Sequence, residues 1–306
     1  MRRDSQPLRG RTVVVTGAAR GLGAALARAF DDRGARVALL GLEGVGLQKV
    51  ASSLRNESAC WAVDVTDDVA MAETARQVRT RLGPASVVVG NAGVAEGGPF
   101  ADSDPQVWRR VIEVNLIGSA ATARCFLPDL LDTHGYYLQV ASLAAMGTSP
   151  LMSAYCASKA GVESFAHALR AELAHRGVAV GIAYINWTDT DMIRDADRHA
   201  VLRELRAHMP APARKVYPAP QVADRLATAA ERRATSVYMP AWLRAVQPVR
   251  AILPAVVTHI ARTELPRLER TRPFEATGLL GAGGHADVRR DTAWRSERGS
   301  ADRPGE

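Results

Sequence analysis

A chain of 306 residues with 47% hydrophobic content can bury a sizeable core, as one large domain or two ordinary ones. Its three cysteines, Cys60, Cys125 and Cys156, lack metal-ligand spacing, and the opening MRRDSQPLRGR has no apolar stretch, so the sequence predicts a reducing, cytoplasmic setting without disulfides or a metal site. The formal net charge of +7 gathers late, with 23 Lys plus Arg against 22 Asp plus Glu up to residue 210 and 16 against 10 beyond it; no basic-aromatic module accompanies it, which argues against a nucleic-acid partner.

In chain order, RTVVVTG (residues 11–17) is a β-branched run ending in a Thr-Gly turn, and LGAALARAFDDRG after it repeats Leu22, Leu26 and Phe30 at helical spacing. The pattern recurs as RVALL with a helix through Leu47, Val50 and Leu54, as CWAVDV with a helix over about 67–81, and as SVVVGNAG with a helix over about 104–131 that Pro128 ends or kinks. YYLQVAS, a helix carrying Tyr155, and VAVGIAYI complete the series. Short apolar strands alternating with amphipathic helices predict an α/β, doubly wound parallel sheet, a Rossmann fold, over 1–210. Beyond it, 211–272 reads as a basic amphipathic helical extension, and 273–306, rich in glycine and charge, as a disordered tail. No apolar run of about 18 residues is present, so a membrane-spanning helix is not expected.

TGAARGLG sets Gly17, Gly21 and Gly23 between a strand and a helix, where the chain turns tightly and a helix amino terminus offers N–H groups to a pyrophosphate. Its G-x-x-x-G-x-G spacing is followed, in order, by Asp64-Val65, NAG at Asn91 to Gly93, VNL around Asn115, Ser142, and YCASK from Tyr155 to Lys159. On these motifs the chain resembles the classical short-chain dehydrogenase/reductase family over roughly its first two thirds. The resemblance implies an NAD(P)-dependent oxidoreductase interconverting an alcohol and a carbonyl compound, with the nicotinamide supplying the hydride chemistry.

By that resemblance Tyr155 is the general acid/base, and Lys159 lowers its pKa and holds the nicotinamide ribose. Ser142 hydrogen-bonds the substrate oxygen, and Asn115 holds a relay water. The cofactor would meet Gly17, Arg20, Gly21, Leu22 and Gly23 at the turn, Asp64 and Val65 at the adenine, and Asn91, Ala92 and Gly93 as the adenine wall. Thr190, with Thr188 as fallback, would bond the carboxamide. Taken one at a time, each of these residues has an ordinary structural reading: a helix-start aromatic, a surface lysine, a turn serine.

Two departures stand out. The end of the second strand, where NAD-users of the family carry an acidic selector, is Gly41; with Arg20 nearby, the sequence leans towards NADP over NAD, although Glu43 is close enough to compensate. Where the family commonly has Pro-Gly, this chain has Ile185-Asn186. Within the extension, Trp242, Val246, Val249, Leu253, Val256 and Ile260 project to one side and Arg244, Gln247, Arg250, His259 and Arg262 to the other, with Pro248 and Pro254 interrupting. That face either packs on the domain or on another subunit and roofs the site, or makes a peripheral membrane contact through 240–272. Both options suit a lipophilic small-molecule substrate; the resemblance to relatives with carboxyl-terminal additions implies a retinoid-, steroid- or acyl-like one, and the family implies a homodimer or homotetramer. A competing reading is a non-catalytic cofactor-binding regulatory or membrane-surface protein on the same fold.

Overall fold

The computed structural model describes residues 7–271 and 273–288. Its first half alternates β1 (Thr12–Thr16), α1 (Gly21–Asp31), β2 (Arg36–Gly41), α2 (Gly44–Ala51), β3 (Ser58–Ala62), α3 (Asp68–Leu82) and β4 (Ala85–Gly90). There follow α4 (Pro105–Ile112), α5 (Gly118–Asp132), β5 (Tyr136–Val140), α6 (Ser153–Leu173) and β6 (Ala179–Ile185). Next come β7 (Thr188–Asp189), α7 (Asp191–Ala196), α8 (Ala200–Ala207), α9 (Ala211–Arg214), β8 (Tyr217–Pro218) and α10 (Ala219–Glu231). β9 (Ser236–Met239), α11 (Leu243–Val246) and α12 (Leu253–Thr271) lead to a last helix, α13, over 281–288.

Seven strands form one parallel sheet in the order β3-β2-β1-β4-β5-β6-β9. The two-residue side-chain period of a strand sends Val14 to one face, with Val78, Phe126 and Val162 of α3, α5 and α6, and sends Val13 and Val15 to the other, with Leu26, Leu47 and Leu226 of α1, α2 and α10. Both faces are covered, which is why the strands read as unbroken apolar runs. The strand order reverses between β1 and β4, and the crevice at their carboxyl ends is where such sheets bind ligands.

Three expectations differ from the structure. The sheet does not end at residue 210: its seventh strand, β9, lies beyond, paired with β6 through Ile182 and Ser236, and α10 packs across α1. SVYM is too short and too late in the chain to stand out by periodicity. The long helix after β4 is interrupted not by Pro128, which sits inside α5, but by a π turn over Glu113–Ile117 that contains Asn115. Finally, 273–288 does not lie free; it returns to the domain, with Leu279, Leu280 and Asp287 buried. The rest of the expected tail, 289–306, is outside the described residues.

The extension also differs from a helix with one wet and one dry side. Leu243 is fully buried, and Trp242, Val246 and Leu253 pack against the domain; burying the Leu243 side chain contributes roughly 2 kcal/mol. Arg250, expected on the polar side, turns inward: it donates to the Glu163 carboxylate (Nη2 to Oε2, 2.8 Å) and to the Ala145 carbonyl (2.9 Å). Val249, Ile252, Val256 and Ile260 are 45–61% exposed. No helix among the described residues is long and apolar enough to cross a membrane.

Candidate active site

Thr16, at the end of β1, ties the glycine turn to the loop after β4. Its hydroxyl accepts from the backbone N–H groups of Asn91 and Ala92 (3.0 Å each), and its carbonyl accepts from Asn91 Nδ2 (2.9 Å). Sequence reasoning assigned no role to Thr16; a threonine directly before the first glycine was the available signal. Asn115 makes the next tie. Its Oδ1 accepts from Val94 N–H (2.8 Å), while its Nδ2 donates to the Val94 carbonyl and to Ser158 Oγ (2.9 Å each). The π turn delivers this side chain, fully buried, between the β4 loop and the helix that carries Tyr155. With both amide atoms engaged, Asn115 holds these segments in register.

Ser142, Tyr155 and Lys159 converge at the carboxyl end of β5. Lys159 Nζ donates to the Val140 carbonyl (3.3 Å) and lies 5.6 Å from the centre of the Tyr155 ring. The Ser142 side chain hydrogen-bonds Tyr155 and accepts from Ala144 N–H (3.2 Å). Burial dominates both titrations. It raises the tyrosine to about 12, opposed by the Ser142 hydrogen bond, and lowers the lysine to about 8. Burial favours the neutral form of each, and the lowering of the tyrosine by Lys159 expected from the sequence is not found. Lys159 therefore exchanges its proton close to neutrality.

Glu96 is a second residue the sequence did not single out. Its buried carboxylate accepts from Ala154 N–H (3.0 Å) and from the Tyr155 backbone, capping α6, whose own N-cap residue Met152 supplies no side-chain bond. Burial pushes this carboxyl up. Cys156, inside the YCASK run, accepts from Ser149 N–H at Sγ (3.3 Å), and burial pushes its thiol up, which suits a packed filler rather than a nucleophile.

A cleft opens on the Gly93 side of Lys159. Its inner wall holds the glycine turn with Arg20 and Leu22, then Asp64 and Val65, then Asn91, Ala92 and Gly93. Arg20 is paired with Glu43. Asp64 accepts from Thr66 N–H (2.9 Å) and from Arg110 Nη2 (2.7 Å), and these contacts hold its carboxyl below the usual range against the cost of burial. Thr190 is on the wall and packs over the turn: a Cβ on Gly21 would come within 3.2 Å of its methyl group. Thr188 is not on this wall; its hydroxyl donates to the Asn186 carbonyl. Asn186, in place of the family's Pro-Gly, bonds Met239 through its N–H (2.9 Å) and Ala213 through Nδ2 (2.8 Å), locking the end of β6 to the segments after it. Trp187 packs under the Arg206 guanidinium, 5.5 Å from the ring centre.

These residues fit a nicotinamide dinucleotide. α1 starts without a side-chain cap and without an acidic residue in its first turn, and its first residues Gly21, Leu22 and Gly23 line the cleft. Gly93 keeps the space near Lys159 clear, since a Cβ there would stand 3.1 Å from Asn115 Oδ1 and 3.6 Å from Lys159 Nζ. No cluster of three or more metal-type ligands occurs among the described residues.

Known proteins resemble this chain. Residues 11–200 match the family model described as short chain dehydrogenase. A short chain dehydrogenase of Pseudocercospora fijiensis is 32% identical over 220 residues, 68% of this chain and 71% of its own length. The meso-2,3-butanediol dehydrogenase of Serratia marcescens is 32% identical over 183 residues, 60% of this chain and 73% of its own length. Among solved structures, a short chain dehydrogenase/reductase from Burkholderia phymatum in complex with NAD superposes with a TM-score of 0.71 at 25% identity, covering 79% of this chain and 93% of its own.

Proposed function

Since the chain belongs to the short-chain dehydrogenase/reductase family, and is thereby an oxidoreductase acting on CH–OH groups with NAD(P), we propose that it interconverts a lipophilic alcohol and the matching carbonyl compound, with Tyr155 as the proton donor and acceptor. The observation that carries this reading is the convergence of Ser142, Tyr155 and Lys159 at the carboxyl end of β5, with Lys159 next to Gly93 of the cleft wall.

The bound nicotinamide supplies or takes the hydride. Ser142 orients the substrate oxygen and Tyr155 exchanges its proton. Lys159, buried and poised near neutrality, holds the ribose and passes the proton on. Asn115 acts by positioning, because its amide is committed to Val94 and Ser158. Gly17, Arg20, Gly21, Leu22, Gly23, Asp64, Val65, Asn91, Ala92, Gly93 and Thr190 are the cofactor contacts we propose, with Thr188 supporting the turn that presents Thr190.

The lipophilic substrate class is supported by the surroundings of Tyr155: Ala95, Met152, Met192, Leu202 and Leu280 form an apolar cluster around it and Cys156. NADP is proposed as the preferred carrier, because Gly41 leaves the end of β2 without a carboxylate and Arg20 stands in the wall; Glu43, already on Arg20, keeps that preference modest. A homodimer or homotetramer is the assembly expected from the family. The exposed Val249, Ile252, Val256 and Ile260, with Arg244 and Arg262 nearby in the sequence, support peripheral contact with an anionic membrane surface.

An assay of lipophilic alcohols and aldehydes, with NAD and NADP side by side, tests the substrate class and the carrier together. Turnover confined to small hydrophilic diols would sink the lipophilic reading.

A further inference from the structure

The outer wall of the cleft comes from the far end of the chain. Facing the glycine turn are Leu280, Gly281, Gly283, Gly284, Ala286 and Asp287. Three observations show that this segment has a built seat.

First, it is added by backbone pairing to the loop after β4. Thr277 N–H donates to the Gly97 carbonyl and Thr277 Oγ1 accepts from Gly97 N–H (2.8 Å each), Leu280 N–H donates to the Ala95 carbonyl (2.8 Å), and Glu96 and Leu279 form an antiparallel bridge. Second, the segment meets the loop after β4 and the start of α7 backbone to backbone where only glycine allows it. Gly98, at φ +132, would drive a Cβ to 2.7 Å from Ala276 Cα; Gly281, at φ +78, would drive one to 2.7 Å from Met192 Cα. Third, the segment is latched by charge. The Asp287 carboxylate, 5% exposed, accepts from Arg110 Nε (2.7 Å) and Nη2 (2.6 Å). The same Arg110 Nη2 reaches Asp64 Oδ2 (2.7 Å), so the latch closes directly on the residue expected to meet the adenine.

We propose that residues 279–287 are the outer half of the dinucleotide site, a strap that closes over the adenosine and pyrophosphate of the bound cofactor, with Asp287–Arg110 as its latch. This inference rests on the reading of the cleft as a nicotinamide-dinucleotide site. Gly283 leaves the groove open: only Arg20 Nη1, at 3.9 Å, lies near the position of its missing Cβ, whereas a Cβ on Gly284 would meet Leu279. The strap's docking surface also reaches the chemistry. Glu96 pairs with the strap through its backbone while its carboxylate caps the helix bearing Tyr155, and Leu280 sits in the apolar cluster around Tyr155. Cofactor exchange therefore requires the strap to lift, and a docked strap holds the start of α6.

The test uses the full chain and three variants, Asp287→Asn, Gly283→Leu and a chain ending at residue 276, each checked for a single cooperative melting transition without ligand. Stopped-flow fluorescence follows binding and release of NADH and NADPH. The full chain is expected to bind and release slowly, Asp287→Asn to release about tenfold faster through loss of a charged hydrogen-bonded pair, the truncated chain to release faster still, and Gly283→Leu to bind about tenfold more weakly because its side chain enters the groove. Hydrogen exchange at Leu280 and Gly281 should slow on adding the dinucleotide. If the truncated chain does not fold, the two point variants decide. Release and affinity within twofold of the full chain in every folded variant would overturn the strap while leaving the cleft reading intact. Tighter binding on truncation would overturn it too, since the segment would then compete with the dinucleotide. Failure of the full chain and all variants to bind any dinucleotide would overturn the reading of the cleft itself.

Discussion

At the end of the cleft proposed for the adenosine, charges are paired: Arg20 meets Glu43, and Arg110 lies between Asp64 and Asp287. At the other end, next to Gly93 of the wall, Lys159 is buried under Tyr155 with a carbonyl oxygen as its hydrogen-bond acceptor and, among the described residues, no carboxylate paired with it. Paired charges keep their ionisation over a wide pH range and so serve to hold a shape. A solitary buried charge is easily discharged, and that suits proton traffic.

Removing the proposed proton handler separates the two ends most sharply. Tyr155→Phe should cut hydride transfer roughly 100- to 10,000-fold while leaving dinucleotide affinity nearly unchanged, because the hydroxyl belongs only to the chemical end. Single-turnover absorbance of the reduced nicotinamide, alongside fluorescence titration, reads both quantities. Equal loss of binding and turnover would show that the ends are not separable.

The lone lysine has a thermodynamic consequence. Burial lowers its folded-state pKa from 10.5 to about 8, so between those values the unfolded chain binds more protons and stability rises with pH. Below pH 8 the folded protein carries the full cost of a buried ammonium, of order ~3 kcal/mol, because each tenfold weakening of proton binding corresponds to about 1.4 kcal/mol. Lys159→Met should therefore be more stable than the parent at pH 7, with its advantage shrinking as pH rises through 8 towards 10. Urea midpoints of both proteins at pH 7 and pH 10 check this, and a pH-independent gap would refute it.

Paired charge also fastens the extension. Glu163, 3% exposed, takes hydrogen bonds from Arg250 and from Tyr184 Oη (2.6 Å), which together hold its carboxyl low against the cost of burial. Arg250→Ala leaves that carboxylate with less compensation. We expect a loss of about 1–3 kcal/mol, below the full cost of breaking a buried pair because Arg250 is itself partly exposed. Thermal melts at pH 7 should show it. The loss should fade at acidic pH, where Glu163 takes up its proton.

The contrast between the two ends bears on what the sequence could reveal. The inner wall and the chemical end are made of short local runs: a glycine turn after a strand, Asn91 to Gly93 after another, and Tyr155 and Lys159 one helical turn apart. Their meaning depends on neighbours within a few residues, so they are legible, and the parallel sheet follows from apolar runs between helices. The ties are not. Asp287 reaches Arg110 across 177 positions, from a stretch whose glycines and charges have the composition of a disordered tail. Glu96 acts as a cap on a helix that begins 57 residues later, so no local capping pattern surrounds it. Asn115 stands out in the sequence but its π turn does not, because one extra residue in a helical turn barely alters apolar spacing. β9 escapes for the opposite reason: four residues are too few to carry a period.

The smallest expected effect probes the charge balance at the adenosine end. A 2′-phosphate brings about two negative charges to the neighbourhood of Arg20, whose guanidinium is at present matched by Glu43. Glu43→Gln keeps the size and hydrogen-bonding reach of the side chain but removes its charge, leaving Arg20 a net attraction for the phosphate. Both side chains are about one quarter exposed, so water and salt screen the change, and an improvement of roughly three- to tenfold in NADPH affinity is expected, with NADH nearly unaffected. Titrating both dinucleotides at low and high ionic strength reads the ratio. The gain for NADPH should shrink in salt, because it comes from uncovering a charge and not from any new contact; an equal gain for both dinucleotides would place the Arg20–Glu43 pair away from the 2′ position.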